Sequence, residues 1–180
     1  MAVLSTILNL FGPPVESDPI VVVPARPTTY KIRALTANQR DEVLRLNSRC
    51  FRDGENYTKH TFSYLLNEPT TVSYQAVSAE GEMTGFVFVM VNKDGSGHIT
   101  TIGVAPEHRR RGIAARLLKQ VESALTFKGA STLVLEVRVG NKAAQELYAH
   151  GGFRVTQRLV KYYSNGEDGY LMMKALGVTS

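Results

Sequence analysis

Val104-Ala105-Pro106-Glu107-His108-Arg109-Arg110-Arg111-Gly112-Ile113-Ala114 joins a β-branched run to an amphipathic segment. The run before it, His98-Ile99-Thr100-Thr101-Ile102-Gly103-Val104, reads as a strand, and Ala105 to His108 as a turn. Ile113, Leu117, Leu118, Val121 and Leu125 then recur at helical spacing, so the arginines are expected to open a helix. At a helix start the first N–H groups have no intrahelical partner and the dipole is positive, which suits an anion. Gly112 and Ala114 leave room for that anion close to the backbone.

Working outward, the pattern on both sides is regular. Tyr30-Ile32-Ala34 predicts a strand, followed by a helix capped by Thr36 that carries Val43, Leu44 and Leu46, and a short helix around Phe62-Leu65-Leu66 ended by Pro69. Val72 to Val77, Gly85 to Val91 and His98 to Val104 read as an antiparallel meander, and Gly95-Ser96-Gly97 between the last two as a hairpin turn. Beyond the Arg-rich helix come a strand at Thr132 to Val139, a helix from Asn141 to His150 ended by Gly151-Gly152, and strands at Phe153 to Leu159 and Tyr170 to Lys174. The order is β-α-α-β-β-β-α-β-α-β-β, an α/β (α+β) chain without internal repeats. Pro13, Pro14, Pro19, Pro24 and Pro27 set residues 1–28 apart as an N-terminal extension, leaving 29–176 as the domain and 177–180 as a tail.

A chain of 180 residues with 43% hydrophobic content suits one domain. The net charge of +5 favours an anionic partner without choosing among nucleic acid, an acidic surface and a polyanionic cofactor. One cysteine, Cys50, rules out an internal disulfide and a cysteine-based zinc site, and reads as a buried structural residue in a reducing, cytoplasmic setting. The apolar Met1 to Phe11 lacks a basic n-region and a small-residue cleavage site and is too short to span a bilayer, so neither a secretory signal nor a membrane span is expected. No metal site is expected.

In Thr132-Leu133-Val134-Leu135-Glu136-Val137-Arg138-Val139, alternation puts Leu133, Leu135, Val137 and Val139 on one face and Val134, Glu136 and Arg138 on the other. Glu136 alone could be a solvated or ion-paired strand residue. Asn141 can cap the next helix, and Tyr148 returns to the same face seven residues later, where it could be a core aromatic with its hydroxyl at the rim.

Arg109-x-x-Gly112-x-Ala114 resembles the acyl-CoA motif of the GNAT acetyltransferases, usually written R/Q-x-x-G-x-G/A. Leu135-Glu136-Val137-Arg138-Val139-Gly140-Asn141, with Ala143-Ala144, Leu147-Tyr148 and Gly152-Phe153, resembles the RimI-like branch that acetylates protein N-termini. The resemblance runs from about Tyr30 to Leu176. It implies the GNAT fold, a mixed, mostly antiparallel central sheet flanked by helices and splayed in its middle for acyl-CoA.

The resemblance further implies acetyl-CoA as co-substrate. Backbone of Ile102, Gly103 and Val104 would take the pantetheine arm, and Arg109, Arg110, Arg111, Gly112, Ile113, Ala114 and Ala115 the pyrophosphate, mainly through N–H groups. Asn141 would touch the cofactor, Glu136 would be the general base and Tyr148 the general acid. His98 is a second candidate base, its alternative being a solvated strand-end histidine; His60, His108 and His150 read as structural or surface residues. Lys161-Tyr162-Tyr163 with Glu167-Asp168 resembles a hairpin that holds a peptide's first residues, although Tyr162 and Tyr163 could be ordinary strand aromatics. The Phe51 to Tyr57 loop would form the other wall. It has Phe51-Arg52 where the family commonly has Phe-Pro, and Asp53 and Glu55 there would favour a basic acceptor.

The expected acceptor is the α-amino group of a protein or peptide N-terminus, with a small amine, polyamine or lysine as the alternative within the family. From other classes, non-catalytic acyl-CoA binding is disfavoured by the presence of both Glu136 and Tyr148. Nucleic-acid binding is disfavoured because three adjacent arginines make too small a footprint. A monomer or homodimer is expected.

Overall fold

A computed structural model of the chain describes residues 21–51 and 57–177. The outer part of the proline-rich extension, Asp53 and Glu55, and residues 178–180 lie outside the described residues. The strands are β1 (Tyr30–Ala34), β2 (Thr71–Ser78), β3 (Met83–Val91), β4 (Gly97–Val104), β5 (Thr132–Arg138), β6 (Arg154–Leu159) and β7 (Gly169–Ala175). The helices are α1 (Arg40–Cys50), α2 (Lys59–Asn67), α3 (Ile113–Phe127) and α4 (Lys142–His150).

Thr36 caps a short 3-10 turn, Ala37–Gln39, rather than α1 itself. Its backbone N–H donates to the returning Gln39 side chain at 2.9 Å, and the α-helix takes over at Arg40. The arginines also fall differently from expectation. Pro106–His108 forms a second 3-10 turn, Gly112 is the N-cap of α3 at φ 72°, and Arg109 to Arg111 therefore precede the helix in its entry loop.

The strands form one sheet in the order β1-β2-β3-β4-β5-β7-β6. Every neighbouring pair is antiparallel except β4 and β5, which are joined through α3 by the crossover that parallel strands require. β3 is buried on both faces. Val87 and Val89 enter a core with Ile113, Leu117, Val121 and Leu125 of α3 and Leu133, Leu135 and Val137 of β5. Phe86 and Phe88 enter a second core with Val43 and Leu46 of α1 and Phe62 and Leu65 of α2. Period-2 side-chain alternation thus holds helices on both faces of the sheet.

The parallel pair is short. β4 and β5 are in register only at Gly97 with Leu133 and His98 with Val134, after which they part, while β5 runs beside β7 along its whole length. A bulge opposite Phe88 and Val89 leaves Thr100 without a partner on β3. Gly97 allows the close approach at the junction: a Cβ there would lie 2.5 Å from Leu125 and 2.8 Å from Leu133, both fully buried. Gly97→Ala is accordingly expected to lower stability by about 1–3 kcal/mol through overpacking, read as a reduced denaturant midpoint with an unchanged m-value.

Candidate active site

The gap between β4 and β5 opens toward their carboxyl ends, where the chain leaves each strand to start a helix. The amino-terminal ends of α3 and α4 therefore flank one crevice, the usual ligand position beside diverging parallel strands. On the α3 side, Arg110 and Gly112 both have positive φ, 61° and 72°, and a Cβ on Gly112 would meet no atom within 4 Å. The loop thus presents backbone to open space at a helix start, which fits a pyrophosphate. The arginine side chains do less there than their number suggests. Arg109 turns back to donate from Nε to the Val104 carbonyl at 3.2 Å and from Nη2 to the Cys50 carbonyl at 3.3 Å. Arg111 donates to the carbonyls of Ala25 and Arg26 and to the Tyr30 hydroxyl.

On the α4 side, Asn141 is the N-cap, and its side-chain oxygen accepts from Ala144 N–H at 3.1 Å. That leaves its amide NH₂ for a ligand. Tyr148 is 7% exposed and packs edge-to-face on Phe153 at 5.8 Å, so the core reading of its ring holds. Burial holds its phenol above the ordinary range, which keeps the hydroxyl protonated.

At the root of the crevice His98 and Glu136 meet. His98 is 4% exposed rather than solvated, and its Nε2 lies 2.7 Å from Glu136 Oε2. A carboxylate only accepts, so Nε2 donates, while His98 Nδ1 is buried and has no hydrogen-bond partner among the described residues. Glu136 stands two residues beyond Val134, the last β5 residue paired with β4, on the sheet face opposite the α3 core.

Tyr162 and Tyr163 lie in the β6–β7 connection, which removes the strand-aromatic alternative. Their rings meet edge-to-face at 5.2 Å. Burial, and after it the charge of Glu136, pushes the Tyr162 phenol up to about 12. Across the crevice, Tyr57 donates its hydroxyl to the bulged Thr100 carbonyl at 3.0 Å, and Phe51 packs against the α1–α2 core. Ile102, Gly103 and Val104 lie on the β4 segment beyond the β5 ladder.

Two structural supports were not foreseen. Arg138 donates to Glu167 at 2.8 Å and to Asn165 at 3.1 Å, and its guanidinium lies 3.9 Å from the Tyr163 ring centroid. Glu167 also accepts from Gly140 N–H at 2.8 Å, and these bonds, Arg138 foremost, hold its carboxyl below the usual range. The connection carrying the tyrosines is thereby tied to the β5–α4 turn. The sequence signal was Arg138 sharing a face with Glu136. Elsewhere, ligand atoms of Glu82, Glu107 and His108 lie within 4.8 Å of one another, and Arg49 pairs with both carboxylates in the position of a cation. Among the described residues no helix is long and apolar enough to cross a membrane.

Comparison with known proteins agrees with this geometry. The family model described as Acetyltransferase (GNAT) family matches residues 40–153. An N-alpha-acetyltransferase of Sulfolobus acidocaldarius is 34% identical over 164 residues, covering 84% of this chain and 95% of that protein. One of Sulfurisphaera tokodaii is 31% identical, covering 82% and 93%. Among solved structures, the Escherichia coli ribosomal-protein-S18-alanine N-acetyltransferase superposes with a TM-score of 0.76 at 25% identity, covering 84% of this chain and 97% of that one.

Because the carboxylate opposes ionisation of the neighbouring phenol, Glu136→Gln should lower the pKa of Tyr162 from about 12, with burial sustaining the rest of the elevation. Tyrosine-selective NMR titration reads this, and an unmoved Tyr162 signal would separate the two residues.

Proposed function

The chain belongs to the GNAT acetyltransferase family and is an acetyl-CoA-dependent acyltransferase; from that premise we propose that its acceptor is the α-amino group of a protein or peptide N-terminus. The observation that carries this reading is the Glu136 carboxylate, bonded to His98 where the β4–β5 ladder ends and close enough for its charge to act on the Tyr162 phenol. A carboxylate where the β4–β5 gap begins can meet an ammonium whose following backbone the hydroxyls of Tyr162 and Tyr163 would hold. The names of the S. acidocaldarius, S. tokodaii and E. coli proteins support the same acceptor class.

The residues divide the work as follows. Backbone N–H groups from Arg109 to Ala115 hold the pyrophosphate, with Arg110 adding charge, and the unpaired edge of Ile102 to Val104 takes the pantetheine arm. A backbone N–H of β4 near the thioester oxygen would stabilise developing negative charge, an effect commonly worth about 3 kcal/mol. Bound acetyl-CoA supplies the activated acyl group. Glu136 accepts the proton of the incoming ammonium through a water, while the His98 Nε2 hydrogen fixes the carboxylate's orientation. An α-ammonium, with an ordinary pKa near 8, yields its proton at moderate cost; a lysine ammonium, near 10.4, resists. Tyr148, kept protonated by burial, returns a proton to the departing sulfur. The amide NH₂ of Asn141 is oriented for the cofactor by the bond its oxygen makes to α4.

Removing the base should be felt in the chemical step. Glu136→Gln is expected to lower kcat by about 10²–10⁴-fold, and Tyr148→Phe by less, with acetyl-CoA affinity unchanged in both. Unaltered turnover in both variants would take these side chains out of the mechanism. Gly112→Glu fills and charges the anion site, so calorimetry should detect no acetyl-CoA binding. An acetyl-CoA assay over peptides varying at their first two positions, run beside polyamines and lysine, tests the acceptor: turnover of small amines alone would transfer the assignment to them.

A further inference from the structure

Arg111 lies inside the phosphate motif, yet its guanidinium faces away from the crevice and into the N-terminal segment. Nη1 donates to the Arg26 carbonyl and to the Tyr30 hydroxyl, each at 2.9 Å, and Nη2 donates to the Ala25 carbonyl. The segment answers with its own backbone: Ala25 N–H donates to the Glu107 carbonyl at 2.9 Å. Tyr30, accepting from Arg111, can donate in turn only to His108 Nδ1, 2.9 Å away and buried. Arg116, in the first turns of α3, donates to the Tyr30 carbonyl at 2.9 Å. Residues 25–30 therefore lie along the whole entry to α3, from Glu107 to Arg116. Their far side is fixed as well, because Thr28 Oγ1 donates to Glu80 at 2.8 Å.

The loop needs such support. Arg111 sits between Arg110 and Gly112, whose φ values of 61° and 72° are both left-handed, a conformation that costs a non-glycine residue such as Arg110. A loop aimed at an anion through its N–H groups binds well only if that conformation is already populated, since ordering it on binding is subtracted from affinity. The segment that does the holding falls outside residues 40–153, which the family model matches.

We propose that Arg111 is a positioning residue, not a phosphate ligand, and that the segment 25–30 is a strap that sets the affinity of the anion loop for acetyl-CoA. The proposal rests on acetyl-CoA occupying that loop.

The full-length chain allows a direct test by isothermal calorimetry with acetyl-CoA. Ala25→Pro deletes the N–H that bonds Glu107, and Arg111→Ala deletes the guanidinium. Each is expected to weaken binding by about tenfold, and the double variant by about tenfold in total rather than a hundredfold, because both break one device. In kinetics the KM for acetyl-CoA of Ala25→Pro and Tyr30→Phe should rise while kcat at saturating acetyl-CoA stays unchanged. Tyr30→Phe, which removes only the bridging hydroxyl, should weaken binding in the wild type and not in Arg111→Ala. Full additivity would make Arg111 a direct ligand and overturn the proposal, as would unchanged affinity in Ala25→Pro and Tyr30→Phe. Gly112→Glu measured alongside separates the levels: normal binding there overturns the loop reading and the strap together, whereas lost binding there with an indifferent strap overturns the strap alone.

Discussion

The ladder between β4 and β5 ends after two residue pairs, and most of what the molecule presents to a ligand follows from that early end. A parallel pair that continued would close the sheet and bury its polar backbone groups in neighbouring strands. Here β5 stays with β7 for seven registered positions and β4 stays with β3, so each strand is stabilised on its outer side and free on the inner. The two-sided core makes this arrangement affordable. α3 packs across β2, β3 and β4 while Leu133, Leu135 and Val137 of β5 reach the same cluster, so the strands share a core without sharing a ladder.

Past the end of that ladder, the remaining link across the gap runs through side chains. His98 is the last paired residue of β4, and Glu136 stands two positions beyond its partner Val134, on the same face of β5. Their 2.7 Å bond therefore sits at the apex of the opening, half in the core and half facing the crevice. Burial on the His98 side gives the bond a fixed geometry, and exposure on the Glu136 side keeps one carboxylate oxygen within reach of a solvated amine. The helix starts lie further along, at the carboxyl ends of β4 and β5, so the charge that α3 and α4 offer an anion and the carboxylate at the apex occupy different parts of one crevice.

Much of this is legible in the sequence, and what is not has a physical cause. Period-2 and period-3.6 patterns give all seven strands and four helices because most elements bury one face, or in β3 both, and burial writes itself into the alternation. Arg109-x-x-Gly112-x-Ala114 is readable because a left-handed N-cap and a backbone cradle constrain residue type locally. Contacts between residues distant in the chain leave no such trace. The His98–Glu136 bond spans 38 positions, and a strand-end histidine looks the same whether it is solvated or paired. Side-chain direction is likewise a tertiary property: of the three adjacent arginines expected to add charge beside the backbone N–H groups, Arg109 and Arg111 donate to carbonyl oxygens of the protein. The helix start is displaced for a local reason, as Gln39 reaches back to Thr36 and tightens the first turn to 3-10 geometry.

That use of arginine bears on how a basic loop can select an anion at all. A guanidinium free in solvent attracts any phosphate, strongly at low salt and weakly at high, and discriminates little. N–H groups of a loop held in one conformation act at short range and in a fixed direction, so they favour an anion of the right shape in the right place. Holding two arginines against neutral carbonyls converts long-range attraction into backbone geometry: Arg109 fixes the end of β4 against α1, and Arg111 fixes the loop against residues 25–30, leaving the Arg110 side chain outward. The Tyr30 hydroxyl, bonded to Arg111 on one side and to buried His108 on the other, links the strap to the loop through the first residue of the sheet. If the strap acts as proposed, selectivity for the cofactor would depend on the order of a segment that carries no ligand-binding group itself.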